Sequence, residues 1–190
     1  MFYNCTNMVS VGNLLYNSNW QIANNVFENC YSLKNIGIIK RITGTPGDGS
    51  RCGVPGMFLN CYALEKTPTF VNVFTTGYDA LTFNRTFYGC SGLIDASSIN
   101  TVILENIDKA WSRRAFESIF EGCTKLTGGI EYLPHSDKLC VHNDYPIFKN
   151  MFKNCIALKQ LPKLANNRII NFCKCYRSSI LSECLMVVQV

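Results

Sequence analysis

The chain has 190 residues, of which 47% are hydrophobic and 16% charged, so it is long enough for one ordinary domain and is neither a disordered tail nor a coiled coil. The net charge of +5 comes from scattered Lys and Arg residues, which argues against a nucleic-acid-binding face. No run approaches the roughly 18 apolar residues of a transmembrane helix, and the first residues lack the basic and apolar regions of a signal peptide. We therefore predict no nucleic-acid partner and no membrane span.

A repeated motif runs through the whole chain. Seven copies align on a cysteine, and they begin near residues 1, 26, 57, 86, 119, 151 and, in a degenerate form, 180. The aligned cysteines are Cys5, Cys30, Cys61, Cys90, Cys123, Cys155 and Cys184. Their separations of 25 to 33 residues are typical of a solenoid that uses one supersecondary unit per turn. We predict a single domain over residues 1–190.

The first element of each copy precedes the cysteine. A phenylalanine stands three residues before the cysteine in six copies, and a hydrophobic or small residue usually stands before it. This spacing favours a short helical turn that buries one side. Asn or Gly occupies the position directly before the cysteine in six of the seven copies, and both residues tolerate the left-handed conformation that ends a helix. The pattern predicts a helical turn, a chain reversal and then a strand.

The second element follows the cysteine. An apolar residue, usually leucine, stands three residues later, and a second apolar position three residues further on weakens to Thr67, Ala96 and Gly129. Short strands that begin here would stack about 4.8 Å apart in successive copies. The predicted fold class is an α/β solenoid of about seven coils, with short parallel strands on one face and short helices or loops on the other.

The motif cysteines are predicted to form an internal column of reduced thiols. Free cysteine behaves as a small apolar side chain and is among the most buried residue types. Catalysis and a disulfide framework are the alternatives, although pairing between neighbouring copies would distort the stack.

The motif resembles a known repeat family. "MFKNCIALKQLP" at 151–162 and "IFEGCTKLTGGIEYLP" at 119–134 are similar to the BspA-like leucine-rich repeats, including their Met-Phe-rich branch once known only as a domain of unknown function. The resemblance covers essentially the whole chain and implies an irregular leucine-rich-repeat stack. Members look like surface adhesins, host-contact proteins and components of phage tails or other virions. The resemblance therefore implies a non-enzymatic binding or adhesion module on a bacterial surface, outside the cell or in a virion.

Partner binding is predicted on the strand face. Side chains alternate between the two faces of a strand, so residues next to the inward position point outward. The candidate binding residues are Ser10, Asn35, Lys66, Asp95, Ser97 and Gln160. Pro68 and Ile130 are also predicted to point outward. This mixed polar row suits a protein or glycan partner better than a polyanion, and the alternative is a plain solvated sheet face. Aromatic residues outside the motif, such as Tyr31 and Tyr62, would add protein or sugar contacts if exposed, but we expect most of them to be buried in gaps between irregular loops.

No catalytic or cofactor motif emerges. The two histidines, His135 and His142, belong to no nucleophile motif, and "GTPGDGS" at 44–50 lacks the Lys-Ser/Thr of a P-loop. We predict no enzyme activity, no cofactor and no metal. A structural zinc site is a hypothesis for one cluster of cysteine and histidine residues, and the alternative is a set of separate thiols. Its residues are Cys140, His142, Cys173 and Cys175.

The two ends of the sequence suggest a second function. Met1 already belongs to the first motif, and the last residues, Leu185–Val190, are apolar, so neither end carries the polar cap that a solenoid needs. Open strand edges pair readily with other chains. The alternative hypothesis is a structural spacer or assembly subunit, whose ends dock onto another domain, another chain or a second copy.

Overall fold

The computed structural model describes residues 1–16, 24–41, 53–71, 73, 83–99, 116–133, 149–160 and 162–164. These residues contain six of the seven motif copies, called repeats 1 to 6 in chain order. The seventh motif, with Cys184, lies outside them.

Short strands follow the motifs. They are β1 (Ser10–Val11), β2 (Leu14–Tyr16), β3 (Asn35–Ile36), β4 (Ile39–Arg41), β5 (Phe70–Val71), β6 (Tyr132–Leu133) and β7 (Lys163–Leu164). All the pairings are parallel: β1 pairs with β3, β2 with β4, β4 with β5, and β6 with β7. The partners come from successive repeats, as the predicted strand after each cysteine requires.

The segment before each cysteine consists of overlapping tight turns instead of the predicted helical turn. In repeat 3 the amides of Met57, Leu59 and Cys61 donate to the carbonyl oxygens three residues earlier, at 3.2, 3.0 and 3.0 Å. The third residue of the last turn, Asn60, has a φ of 61°, as a type II turn requires. Gly56, which precedes the motif phenylalanine, also has a positive φ of 60°, and a continuous helix cannot pass through residues in this conformation. The one helical segment of the described chain is the short stretch 97–99.

The predicted left-handed position is confirmed in all six described repeats. The residue before the cysteine has a positive φ between 59° and 80° in each case. These residues are Asn4, Asn29, Asn60, Gly89, Gly122 and Asn154. A second left-handed position lies four residues earlier, and the sequence did not predict it, because Arg85 and Ser118 occupy it in repeats 4 and 5.

Backbone hydrogen bonds join each repeat to the next. The amide of Phe27 donates to the carbonyl of Met57 at 2.8 Å, and the amide of Asn29 donates to that of Leu59 at 2.9 Å. Equivalent pairs recur up to repeat 6, where Gly122 donates to Lys153 at 2.8 Å. The turns therefore satisfy their own backbone groups by stacking, which a protein interior demands.

A column of phenylalanine rings fills the core behind these turns. Consecutive motif rings are nearly parallel, with centroids 5.3 to 5.9 Å apart and interplanar angles of 4° to 8°. The column is Phe2, Phe27, Phe58, Phe87, Phe120 and Phe152. The motif phenylalanines therefore stack at nearly equal distances, although the copies lie 25 to 33 residues apart along the chain.

The motif thiols lie beside this column. Cys30, Cys61, Cys90, Cys123 and Cys155 are buried and free, and Cys5 is half-buried and free. Each of the five buried thiols donates to the carbonyl oxygen of the motif phenylalanine in the preceding repeat, at 3.0 to 3.1 Å. The predicted burial of the motif cysteines is confirmed for these five positions.

Repeat 5 departs from the predicted register. The sequence placed Gly129 inward and Ile130 outward, but Ile130 is 7% exposed and Gly129 has a φ of 100°. The backbone at Gly129 lies in the left-handed region, and the next side chain lies in the core. The pairing of the following strand is offset by one residue, because Tyr132, nine residues after Cys123, pairs with Lys163, eight residues after Cys155.

Six stacked repeats with parallel strands agree with a solenoid over the described residues. The seven-coil α/β solenoid as a single domain of 190 residues stays a prediction, because the last motif lies beyond them. Within the described ranges, no helix has the length and apolar character needed to span a bilayer.

Candidate functional site

The predicted binding row lies where the strands stack. Ser10 pairs with Asn35 in β1 and β3, and Lys66 pairs in parallel with Asp95, which in turn pairs with Gly128. Each of these residues stands five positions after its motif cysteine. The structure therefore brings the row together in two groups, one in repeats 1 and 2 and the other in repeats 3 to 5.

The exposure of the row agrees with an outward face at most positions. Ser10, Asn35, Lys66, Ser97 and Gln160 are exposed. Asp95 is half-buried. Gln160 belongs to repeat 6, and the described strand pairings do not join it to the other residues of the row.

Asp95 has a structural role within its own repeat. Its Oδ1 accepts a hydrogen bond from the Ser97 amide at 2.8 Å, and its Oδ2 accepts one from the Ser97 hydroxyl at 3.2 Å. Side chains of this type cap the start of a helical turn, and residues 97–99 are helical. The carboxylate therefore orients Ser97 and the turn that follows.

Two residues predicted to point outward are buried. They are Ile130 and Pro68, and each stands seven residues after its motif cysteine. Pro68 contributes its carbonyl to a link between repeats, because the Ser98 hydroxyl lies 2.9 Å from that oxygen and 2.6 Å from the Thr67 hydroxyl. The outward face is therefore narrower beside Lys66 and Gly128 than strict alternation predicts.

A pair of stacked tyrosines adds an aromatic surface. Tyr31 and Tyr62 directly follow the cysteines of repeats 2 and 3, and they are 41% and 46% exposed. Their ring centroids are 5.0 Å apart, with an interplanar angle of 11°. The predicted set of binding residues contained neither tyrosine. The signal was available, because tyrosine directly follows the cysteine in two consecutive repeats.

An asparagine ladder runs beside the tyrosine pair. The Asn29 side-chain amide donates to Oδ1 of Asn4 at 2.9 Å, and that of Asn60 donates to Oδ1 of Asn29 at 3.0 Å. The ladder stops in repeat 4, where Gly89 replaces the asparagine. Repeats 1 to 3 thus carry a ladder of side-chain amides, and repeats 2 and 3 also carry stacked aromatic rings.

Gly89 provides a direct test of this ladder. A Cβ at this position would press against Oδ1 of Asn60, and the φ of 72° disfavours most side chains. We expect Gly89→Ala to lose about 1–2 kcal/mol of unfolding free energy through the left-handed backbone. The unfolding free energy of Gly89→Asn should be higher than that of Gly89→Ala by about 1–2 kcal/mol, because Asn tolerates this conformation and its amide can donate to Asn60. Urea unfolding measures both, and equal stabilities would contradict the ladder.

The buried thiols are poor nucleophiles. Burial raises the pKa of Cys61, Cys90 and Cys123 far above the usual range, and neighbouring motif thiols add to the rise. Burial also raises the pKa of Cys155 to about 12. Since the thiolate is the reactive form, these cysteines are suited to packing. The zinc candidates Cys140, His142, Cys173 and Cys175 lie outside the described residues.

Two contacts of charged side chains among the described residues lie just before motif cysteines. Lys153 Nζ is 2.9 Å from Oε1 of the buried Glu121, and this hydrogen bond raises the pKa of Lys153. The Arg85 guanidinium lies 5.6 Å from the ring centroid of Tyr88. Neither contact involves a residue of the strand row, and Lys66 takes part in neither of them.

Comparisons with protein-family models, curated proteins and solved structures found no match. The candidate site therefore depends on the geometry of the repeats.

Proposed function

We propose that this protein is a non-enzymatic binding module of the BspA-like leucine-rich-repeat type, which recognises a protein or a glycan. The observation that carries the proposal is the parallel pairing that places polar residues of the row side by side in two groups, Ser10 with Asn35 and Lys66 with Asp95. A rigid scaffold lowers the conformational entropy that ordering a binding surface would cost. The resemblance of the motif favours a bacterial surface or a virion as its location.

The chemistry of the face supports a neutral or mixed-charge ligand. Ser10, Asn35 and Gln160 offer hydroxyl and amide groups, and Lys66 supplies a positive charge next to the carboxylate of Asp95. Such groups match the hydroxyls of a glycan or the backbone of a peptide. Tyr31 and Tyr62, which stand four residues before Asn35 and Lys66, add exposed side chains of a type that is enriched among the residues contributing most binding energy.

Binding measurements with variants of the row test the proposal. The parent protein is screened on a glycan array and on a peptide array, and the tightest ligand is then used in titrations. We expect Lys66→Ala to weaken its affinity at least tenfold, because a charge-assisted contact is lost. Lys125→Ala is the matched control, since Lys125 is exposed and stands outside the row. Circular dichroism checks that both variants stay folded.

Asp95 requires a conservative substitution. Asp95→Asn keeps an oxygen to accept the hydrogen bond from the Ser97 amide and removes the charge, so it separates recognition from the local capping role. Unchanged affinity in both Lys66→Ala and Asp95→Asn, or the absence of any ligand on both arrays, would count against a binding row. The assembly alternative places its contacts within Leu185–Val190, outside the described residues.

A further inference from the structure

Four motif cysteines of the described repeats share one environment that leaves no room for modification. The side chains of Cys30, Cys61, Cys90 and Cys123 are fully buried. Each thiol hydrogen points at a phenylalanine carbonyl of the preceding repeat, as in the contact from Cys90 to Phe58 at 3.0 Å. The sulfur therefore lies within the interface between two stacked repeats.

A substituent on one of these sulfurs is incompatible with the stack. The inter-repeat hydrogen bonds on either side, such as Phe58 to Thr86 at 2.9 Å and Asn60 to Tyr88 at 2.8 Å, fix the separation of the repeats. Adding even single methylene groups to a close-packed core is destabilising. A glutathione tripeptide attached to the sulfur of Cys90 would force repeats 3 and 4 apart. It would also remove the thiol hydrogen that Cys90 donates to the Phe58 carbonyl.

The same thiols are reactive before the repeats stack. In an unfolded chain a cysteine has a pKa of about 8.5 and forms thiolate near neutral pH. The thiolate attacks one sulfur of oxidised glutathione, a new disulfide joins the cysteine to one glutathione, and the second glutathione leaves as a thiolate. The reaction is a two-electron exchange in which the disulfide is the oxidant.

We infer that the motif cysteines act as a redox checkpoint on folding. A low-molecular-weight disulfide that reaches the chain before the repeats have stacked blocks stacking, whereas the stacked repeats exclude it. The chain must therefore complete its stack in a reducing environment, whichever compartment it later occupies. This inference rests on the core alone and is independent of the proposed binding function.

Partial modification followed by refolding tests the checkpoint without any substitution. The full chain is unfolded in urea and treated with oxidised glutathione until each molecule carries about one adduct, and the urea is then removed. Size-exclusion chromatography separates refolded monomer from aggregate, and peptide mass spectrometry maps the adducts in both fractions. We expect the refolded fraction to be depleted at least tenfold in adducts at Cys61, Cys90 and Cys123, and dithiothreitol to return the aggregate to the refolded form.

Half-buried Cys5 is the comparison within the same molecule, and its adducts should be depleted less than those of the central three. A second measurement exposes the folded protein to oxidised glutathione, and the central three thiols should then stay unmodified while unfolded chain reacts. Equal adduct levels at Cys90 in the refolded and aggregated fractions would overturn the inference. Modification of Cys90 in the folded protein at the rate of the unfolded chain would do the same.

Discussion

Phe87→Ala is expected to lower the free energy of unfolding by about 3–5 kcal/mol, the usual loss for a large buried aromatic side chain. The Phe87 ring is fully buried and stacks on Phe58 at 5.4 Å and on Phe120 at 5.7 Å. Phe70 also contacts it edge-on, with centroids 6.3 Å apart. The substitution therefore removes the ring that joins two halves of the column and leaves a cavity between repeats 3 and 5. Urea unfolding monitored by circular dichroism measures the loss.

Tyr62→Ala is the matched control for Phe87→Ala. Tyr62 also stacks on a ring of the neighbouring repeat, but it is 46% exposed. Its truncation should cost about 1 kcal/mol or less, since surface substitutions have small effects. If both variants lose the same amount, the phenylalanine column is not the core of the stack.

Stability should fall steeply as the pH rises above about 8.5. Burial raises the pKa of Cys61, Cys90 and Cys123 in the folded state, whereas the unfolded chain ionises near pH 8.5. The stabilising contribution of the protonated thiols is therefore complete below that pH and is lost as the pH rises towards the folded-state values. Each thiol contributes a slope that approaches about 1.4 kcal/mol per pH unit. The three together should approach about 4 kcal/mol per pH unit.

Urea midpoints measured between pH 8 and 9.5 under reducing conditions give this slope before most tyrosines and lysines titrate. Cys90→Ser is the control, because serine does not ionise in this range and keeps a hydroxyl donor for the Phe58 carbonyl. Its slope should be smaller than that of the parent by an amount approaching 1.4 kcal/mol per pH unit. Parallel pH profiles for parent and variant would show that the Cys90 thiol does not stay protonated in the folded protein.

Much of the local structure follows from the motif. Asn or Gly before the cysteine predicted a left-handed residue, and all six described repeats have one. Phe and Cys at fixed spacing predicted a buried column, and β1 and β3 begin where the later apolar position predicted a strand. These features are predictable because each depends on one residue type at one place in every copy.

The prediction of a helical turn before the cysteine was wrong, and the reason is physical. Apolar residues three apart bury one side in a helix and equally in a chain of overlapping turns. The distinction depends on the second left-handed position, and in repeats 4 and 5 that position holds Arg85 and Ser118, which give no sequence signal for it. Stacking hydrogen bonds from Arg85 to Glu117 at 3.0 Å and from Ser118 to Lys149 at 2.8 Å hold the backbone in place there.

The candidate site was predicted only in part. Position along the motif identified Lys66 and Asp95 as neighbours, since parallel stacking places equivalent residues side by side. It did not reveal that the Asp95 carboxylate binds Ser97 or that Pro68 is buried, because both depend on the turn at 97–99. The stacked tyrosines and the asparagine ladder likewise exist only once two or three repeats lie in contact.

The motif alone was enough to predict the repeat, the left-handed residue before the cysteine and the buried cysteines, because the same residue types recur in successive copies. Tertiary packing placed Ile130 in the core of repeat 5, directly after the left-handed Gly129. It also decided where close approach excludes a side chain, as at Gly92, whose missing Cβ would collide with the Tyr62 carbonyl. Such outcomes depend on distances between repeats, and those distances are set by packing and by hydrogen bonds between segments about 30 residues apart.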